Sequence, residues 1–411
     1  MPFAFPSLNA DGRLLFATRF IRLFAYGGLS VVLVLYLVSI GLTPAATGFL
    51  LTAILLGDTV VSLLLTTQAD RLGRRRMLVI GALLMAAAGV TFAYARQMWV
   101  LVAAGTIGVI SPSGQEVGPF LSIEQAALSQ IVPDRDRTHV FAWYTLTGAF
   151  ATAVGSLVGG LLSSSLQRRA VSEVAGDRLV IALYAAMGAV LAICFSRLST
   201  ATEAHLAGDG GRTVGRFGIG ASRNVVARLS ALFALDAFGG GFVVQSLAAY
   251  WFHLRFGVDA AALGGIFFGA NAFAGISALL ASRLASRIGL IRTMVFTHLP
   301  SNVLLMLVPL MPTAQLAILV LLARFSISQM DVPTRQSYTM AVVAPSERSA
   351  AAGITGVART TGAALAPVFA GLLLSKPELM NMPFYLAGGL KIVYDLLLYR
   401  AFINHVAPEE D

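Results

Sequence analysis

Between two apolar runs the chain reads Asp70-Arg71-Leu72-Gly73-Arg74-Arg75-Arg76, five charges in seven residues. The window before it, near 47–67, holds one charge, Asp58, and the window after it, near 76–95, holds none beyond Arg76. Runs of about 20 apolar residues are the length that crosses a ~30 Å hydrocarbon layer as helix. The charged stretch is therefore a connection between two membrane spans, and the question becomes how many more spans the chain has.

Composition points the same way along the whole length. Of 411 residues 57% are hydrophobic and 12% are charged, and mean hydropathy is +0.79. Soluble domains carry about twice that share of charge. Further apolar windows fall near 15–40, 98–122, 139–163, 179–198, 228–252, 261–282, 289–311, 314–336, 350–374 and 382–402. With the first two, these predict twelve helices and place both termini on one side.

The net charge of +9 comes from arginines gathered between the windows, so it reads as topology and not as nucleic-acid binding. Alternate connections hold fifteen arginines against six basic residues in the other set. Basic loops stay in the cytoplasm, which predicts that both termini and the polar Gly-rich stretch Ser199–Asn224 are cytoplasmic. The first apolar run lacks a small-residue cleavage site after it and reads as an uncleaved span. Cys194 is the lone cysteine, which excludes an internal disulfide.

The two halves look like copies. Ser286-Arg-Ile-Gly-Leu-Ile-Arg292 follows the eighth window as Asp70–Arg76 follows the second. Asp136-Arg137-Thr138 and Glu347-Arg348-Ser349 follow the fourth and tenth, and the same offset of 211 puts Gln125 on Gln336 and Gly160 on Gly371. Repeated six-helix halves around a midplane site are a transporter arrangement.

These residues resemble the major facilitator superfamily over essentially the whole chain. Its loop motif, Gly-x-x-x-Asp-Arg-x-Gly-Arg-Arg, is met at Asp70, Arg71, Gly73, Arg74 and Arg75, with Thr66 in place of the first glycine. The resemblance implies an all-α membrane protein of twelve transmembrane helices in two pseudo-symmetric six-helix bundles, 1–198 and 226–411, joined by a cytoplasmic linker 199–225. It implies a gate made by Asp70, Arg71, Gly73 and Arg74 with Arg137 of the next basic loop. The family often has an acid three residues before the proline ending span four; here Gln130 precedes Pro133, so the charge relay is weakened or shifted to Glu124. A span-five antiporter motif, Gly-Pro-x-x-Gly-Gly, is half met by Gly155-Ser156-Leu-Val-Gly159-Gly160, which equally suits close helix packing.

Charges inside spans cost roughly 2.5–3.5 kcal/mol each, so those that persist face a partner or a watery cavity. Span ten carries Arg324, Asp331 and Arg335, which fall on one stripe of a continuous helix, about 20° and 40° apart. Span four offers Glu116 and Glu124, about 12 Å apart along a helix axis. Span seven offers Asp236 and Gln245, and Asp58 stands roughly 18 Å above Asp70 in span two. Arg19 is expected to snorkel to the headgroups, and Arg22 either snorkels or enters the cavity. Lys391 and Asp395 fall at i, i+4 and are expected to pair on span twelve; His298 and Asn302 are expected to be packing residues. Glu116 and Asp331 are the carboxylates expected to couple protons, with Arg324 acting on Asp331.

No Gly-Lys dipeptide exists for a P-loop, no His-Glu-x-x-His occurs, the five histidines lack metal-ligand spacing, and no Gly-x-Ser-x-Gly elbow is present. The expected protein is a monomeric, cofactor-free secondary transporter of a small polar solute, anionic or zwitterionic, in the plasma (bacterial inner) membrane. Proton-coupled export is favoured; proton-coupled import and a non-transporting receptor of the same fold are the alternatives.

Overall fold

The computed structural model describes residues 8–167, 173–203, 220, 222–344 and 347–402. The linker glycines Gly208, Gly210, Gly211, Gly215 and Gly218 lie outside them. Among the described residues the chain is all-α, with fifteen α-helices. Nine are uninterrupted spans: α1 (Ala10–Ser39), α2 (Pro44–Leu72), α3 (Arg74–Tyr94), α6 (Asp134–Gln167), α7 (Glu173–Ser196), α10 (Ala260–Ile288), α11 (Leu290–Leu307), α14 (Arg348–Leu374) and α15 (Met382–Phe402). The other six pair into three interrupted spans: α4 (Met98–Ile107) with α5 (Phe120–Ile131), α8 (Arg223–Gly241) with α9 (Gln245–Phe256), and α12 (Ala314–Phe325) with α13 (Asp331–Ala341). The count is consistent with twelve spans, of which the fourth, seventh and tenth are broken.

The breaks follow local chemistry. Between α4 and α5 lie Pro112 and Pro119, which cannot donate a backbone bond, and Gly114 and Gly118, whose φ of 69° and 79° a side chain resists. Irregular backbone at membrane depth persists only where its polar groups find partners. Here Tyr184 Oη donates to Val109 O, Ser111 Oγ to Gln115 O at 2.7 Å, and Tyr26 Oη to Val117 O at 3.3 Å. The Gly118 N–H donates to Asp58 Oδ1 at 2.6 Å.

Contacts divide the chain into two compact units. One is Met1–Thr43, Ala53–Ala207 and Ala248–Phe268; the other is Pro44–Thr52, Gly208–Leu247 and Gly269–Asp411. Each has the same internal plan. In the first, α1 packs most extensively on α6 and α3 on α7; in the second, α8 packs on α14 and α11 on α15. These are spans 1–5, 3–6, 7–11 and 9–12, so the internal repeat is present in the packing.

Lipid is as apolar as leucine, so helices in a membrane associate by close packing and not by escape from water. Small residues provide that closeness. A Cβ on Gly155 would stand 2.0 Å from Phe24 O, and one on Gly159 2.6 Å from Gly28 Cα, so the half-met antiporter motif is the packing face of α6 against α1. Gly160 meets Gly264 and Ala260 O in the first unit, and Gly48 meets Gly371 and Pro367 O in the second. Leu63, Leu64, Leu319 and Phe369 are exposed, as lipid-facing side chains are, and exposed Tyr94 and Trp99 flank the α3–α4 turn as an interfacial aromatic pair.

Candidate functional site

The first unit holds a buried ion cluster centred on α1. Arg22 and Glu124, both 0% exposed, pair through two parallel bonds, Nη1 to Oε1 at 2.7 Å and Nη2 to Oε2 at 2.6 Å. A bidentate, charge-assisted pair of this kind is strong and fixes both side chains. Tyr144 Oη and Thr18 Oγ1 donate to the same carboxylate, the latter at 3.2 Å. Glu116 bonds Arg19 and lies 3.3 Å from Arg22 Nη2. Arg19 also donates to Tyr144 O at 2.7 Å and stacks on the Tyr144 ring at 4.3 Å.

Three expectations change here. Arg19 does not snorkel: it is buried, because Glu116 and the Tyr144 carbonyl satisfy it at depth. Glu116 is not on a helix with Glu124; it sits in the α4–α5 break, so the unwound segment swings it onto the same arginines. Glu124 gives both of its oxygens to Arg22 and bonds none of the loop arginines among the described residues.

The second unit holds a larger cluster around Asp236 on α8. Lys391 Nζ donates to Asp236 Oδ1 at 2.6 Å, and Arg335 Nη1 lies 3.3 Å from Asp236 Oδ2 and 2.8 Å from Asp331 Oδ2. His298 stands between two carboxylates, with Nδ1 2.8 Å from Asp395 and Nε2 3.7 Å from Asp236. Asn302 Nδ2 donates to Asp395 Oδ2 at 3.0 Å.

Lys391 and Asp395 therefore do not pair with each other, and His298 and Asn302 are members of the polar cluster and not packing residues. The Arg324–Asp331–Arg335 stripe is also broken. The α12 helix ends at Phe325 and α13 starts at Asp331, so Arg335 alone is the helical partner of Asp331. Arg324 stacks on the Phe325 ring at 4.8 Å, and its buried Nε has no hydrogen-bond partner among the described residues. Gln245, at the start of α9, accepts from Asn271 Nδ2 at 3.1 Å.

The two clusters occupy corresponding places. Gly27 packs against Thr152 O and Gly241 against Ala363 O, which aligns α1 with α8 at an offset of 214 and α6 with α14 at 211. On that alignment Arg22 matches Asp236 and Glu124 matches Arg335. Each unit thus has one cross-helix ion pair at the same position, with its sign reversed.

A third group gathers at the basic loop. Gly73 takes φ 103° to turn between α2 and α3, and Arg74 reaches Asp70 at 2.8 Å, Gln130 at 2.8 Å and Thr202 O at 3.3 Å. Glu203 accepts from the Arg74 N–H at 2.6 Å and the Arg75 N–H at 3.3 Å, and Gln130 Nε2 donates to Glu203 O at 2.6 Å. Gln130 itself bonds the Arg74 guanidinium, and an acid from the segment after α7, Glu203, caps the start of α3. Nothing in the loop motif marks it. Arg71 is exposed and has no ion-pair or hydrogen-bond partner among the described residues. Arg137 Nη2 donates to Ser129 O at 2.6 Å, and its repeat mate Arg348 Nε donates to Met340 O at 2.8 Å.

The chain is 29% identical over 97% of its length, and 96% of the relative's, to an uncharacterized membrane protein of Saccharomyces cerevisiae. A stretch of 94 residues, 23% of the chain, is 31% identical to 22% of a Na(+), Li(+), K(+)/H(+) antiporter of Planococcus maritimus. A crystal structure of the nucleoside transporter NupG superposes with a TM-score of 0.77 at 14% identity, over 95% of this chain and 99% of that one. The family model described as Major Facilitator Superfamily matches residues 15–330, and with the repeated packing and the loop motif in place, the chain is an integral membrane protein that belongs to this superfamily.

Proposed function

We propose that the chain is a secondary transporter that exports a small polar or charged organic solute in exchange for protons. The bundles 1–198 and 226–411, joined by the linker 199–225, alternate access around a midplane site, with both termini cytoplasmic in the plasma (bacterial inner) membrane. The observation that carries this reading is the sign-reversed ion pair, Arg22–Glu124 and Asp236–Arg335, at one place in both repeats. Buried charges in spans mark solute and ion pathways, and each repeat carries both signs of charge at this place. The partial likeness to a cation/proton antiporter supports exchange.

Coupling is assigned to Glu116 and Asp331. Each carboxylate is held by an arginine, so a polar solute that draws the arginine away leaves the acid free to take a proton, and the proton's departure restores the pair. Arg22, Asp58, Glu124, Asp236, Gln245, Arg324 and Arg335 complete the proposed substrate or proton pathway. The test starts with a thermal-shift screen of small organic anions and zwitterions on purified protein, since a bound solute stabilises the fold by mass action. The hit is then followed in proteoliposomes with an imposed pH gradient. Glu116→Gln and Asp331→Asn should still bind it and lose pH-driven movement. Full pH-driven transport by both variants would remove the assignment.

A further inference from the structure

Each buried acid of the two ion clusters has a basic partner: Glu116 and Glu124 have arginines, Asp236 has Lys391 and Arg335, Asp331 has Arg335, and Asp395 has His298. Asp58 has none among the described residues. It is 7% exposed, at the middle of α2, and its partners are neutral: the Gly118 N–H at 2.6 Å and Ser62 Oγ at 3.4 Å. Tyr26 on α1 and Tyr184 on α7 are ionisable side chains within its electrostatic reach. The α4 helix contributes no ionisable residue at all.

An isolated carboxylate in apolar surroundings is costly when charged, and a bound proton removes that cost without breaking an ion pair. The neighbouring backbone makes the event consequential. In the break between α4 and α5, hydroxyls cover the carbonyls of Val109, Gln115 and Val117, whereas the donor at Gly118 is covered by the Asp58 carboxylate. A hydrogen bond to a charged acceptor is about twice as strong as one to a neutral acceptor, so protonation slackens the tie between α2 and the break. Glu116, which holds Arg19 and Arg22, is two residues from Gly118. Gln115, in the same segment, is exposed.

We infer that Asp58 is a proton-binding site, and that its protonation state is passed through the Glu116–Gly118 backbone to the arginine cluster of α1. The inference rests on the proton-coupled reading above and deepens it: Asp58 is a carboxyl that changes charge with no salt bridge to break, distinct from Glu116 and Asp331.

The test reads proton occupancy and not flux. An apolar carbodiimide reacts with buried carboxyl groups in their protonated form, and mass spectrometry of the labelled full-length protein in lipid nanodiscs locates the adduct. Expected is labelling at Asp58 ahead of the ion-paired acids, falling about tenfold per pH unit above its midpoint. In parallel, hydrogen exchange corrected for intrinsic chemistry should show residues 108–119 losing protection on acidification. Asp58→Asn keeps an acceptor for Gly118 but cannot titrate, so its exchange should not respond to pH. Absence of label at Asp58, label that ignores pH, or a pH response retained by Asp58→Asn each overturns the inference and leaves the transport proposal standing. A labelled Asp58 in a protein with no pH-driven flux would instead remove the coupling itself.

Discussion

Glu124 and Arg335 stand 211 residues apart at the same repeat position, and each reaches across to an opposite charge on the first helix of its own unit. The repeat keeps the place of the pair while inverting its polarity, bidentate at 2.6–2.7 Å in the first unit and a single 3.3 Å contact in the second.

Removing one partner of that pair should cost far more than removing both. Arg22→Met leaves Glu124 buried and uncompensated, with an expected loss of about 3–5 kcal/mol, whereas Arg22→Met with Glu124→Met should recover most of it. Thermal unfolding in detergent measures the cycle. Equal losses in the single and double variants would mean that Tyr144 and Thr18 already satisfy Glu124.

At the basic loop two acids hold Arg74, Asp70 at its side chain and Glu203 at its backbone. Glu203 accepts from two N–H groups at the start of α3, a place that favours negative charge. Glu203→Gln should shift the balance of inward and outward states by about 1 kcal/mol, the scale of a lost helix cap, and Asp70→Asn should act in the same direction. Cysteine accessibility after Cys194→Ala reports the balance. Unchanged accessibility in both variants would leave the loop a topology signal only.

Gly155 tests whether the half-met antiporter motif packs helices. Its absent side chain would lie 2.0 Å from Phe24 O, a backbone atom that cannot rotate away. Gly155→Val should force α1 and α6 apart and lower stability by about 1–3 kcal/mol. Near-wild-type thermal stability would show that α1 and α6 separate freely.

The proposed orientation has its own check. Reporter fusions after Ser199 and after Asp411 should both report from the cytoplasm, because fifteen arginines lie in the connections on that side against six basic residues opposite. A signal from the far side at either point overturns the topology.

Much of the architecture was legible because membrane helices write themselves as apolar length, and the Asp70–Arg76 loop, matched at Ser286–Arg292, marks the repeat. The positions of single charges were less so. Glu116 was read as helical because its window is apolar on average; Pro112, Gly114, Gly118 and Pro119 unwind the segment, and unwinding moved the acid onto Arg19 and Arg22. Ser-Pro-Ser-Gly at 111–114 was the signal that marks such a turn. The partnership of Lys391 with Asp236 and of His298 with Asp395 was invisible to spacing, since i, i+4 arithmetic sees one helix at a time and these bonds join three.

The ten residues of α4 rise about 15 Å, half the hydrocarbon thickness. A translocation channel that releases segments into lipid by their apolar length finds too little in α4 alone, and the polar turn that follows resists release. The fourth span is therefore expected to leave the channel together with α3, against which α4 packs in the folded chain. The same holds for α12, also short, which follows α11. The break that brings Glu116 to Arg19 and Arg22 is thus also expected to tie the entry of the fourth span into the membrane to that of the third.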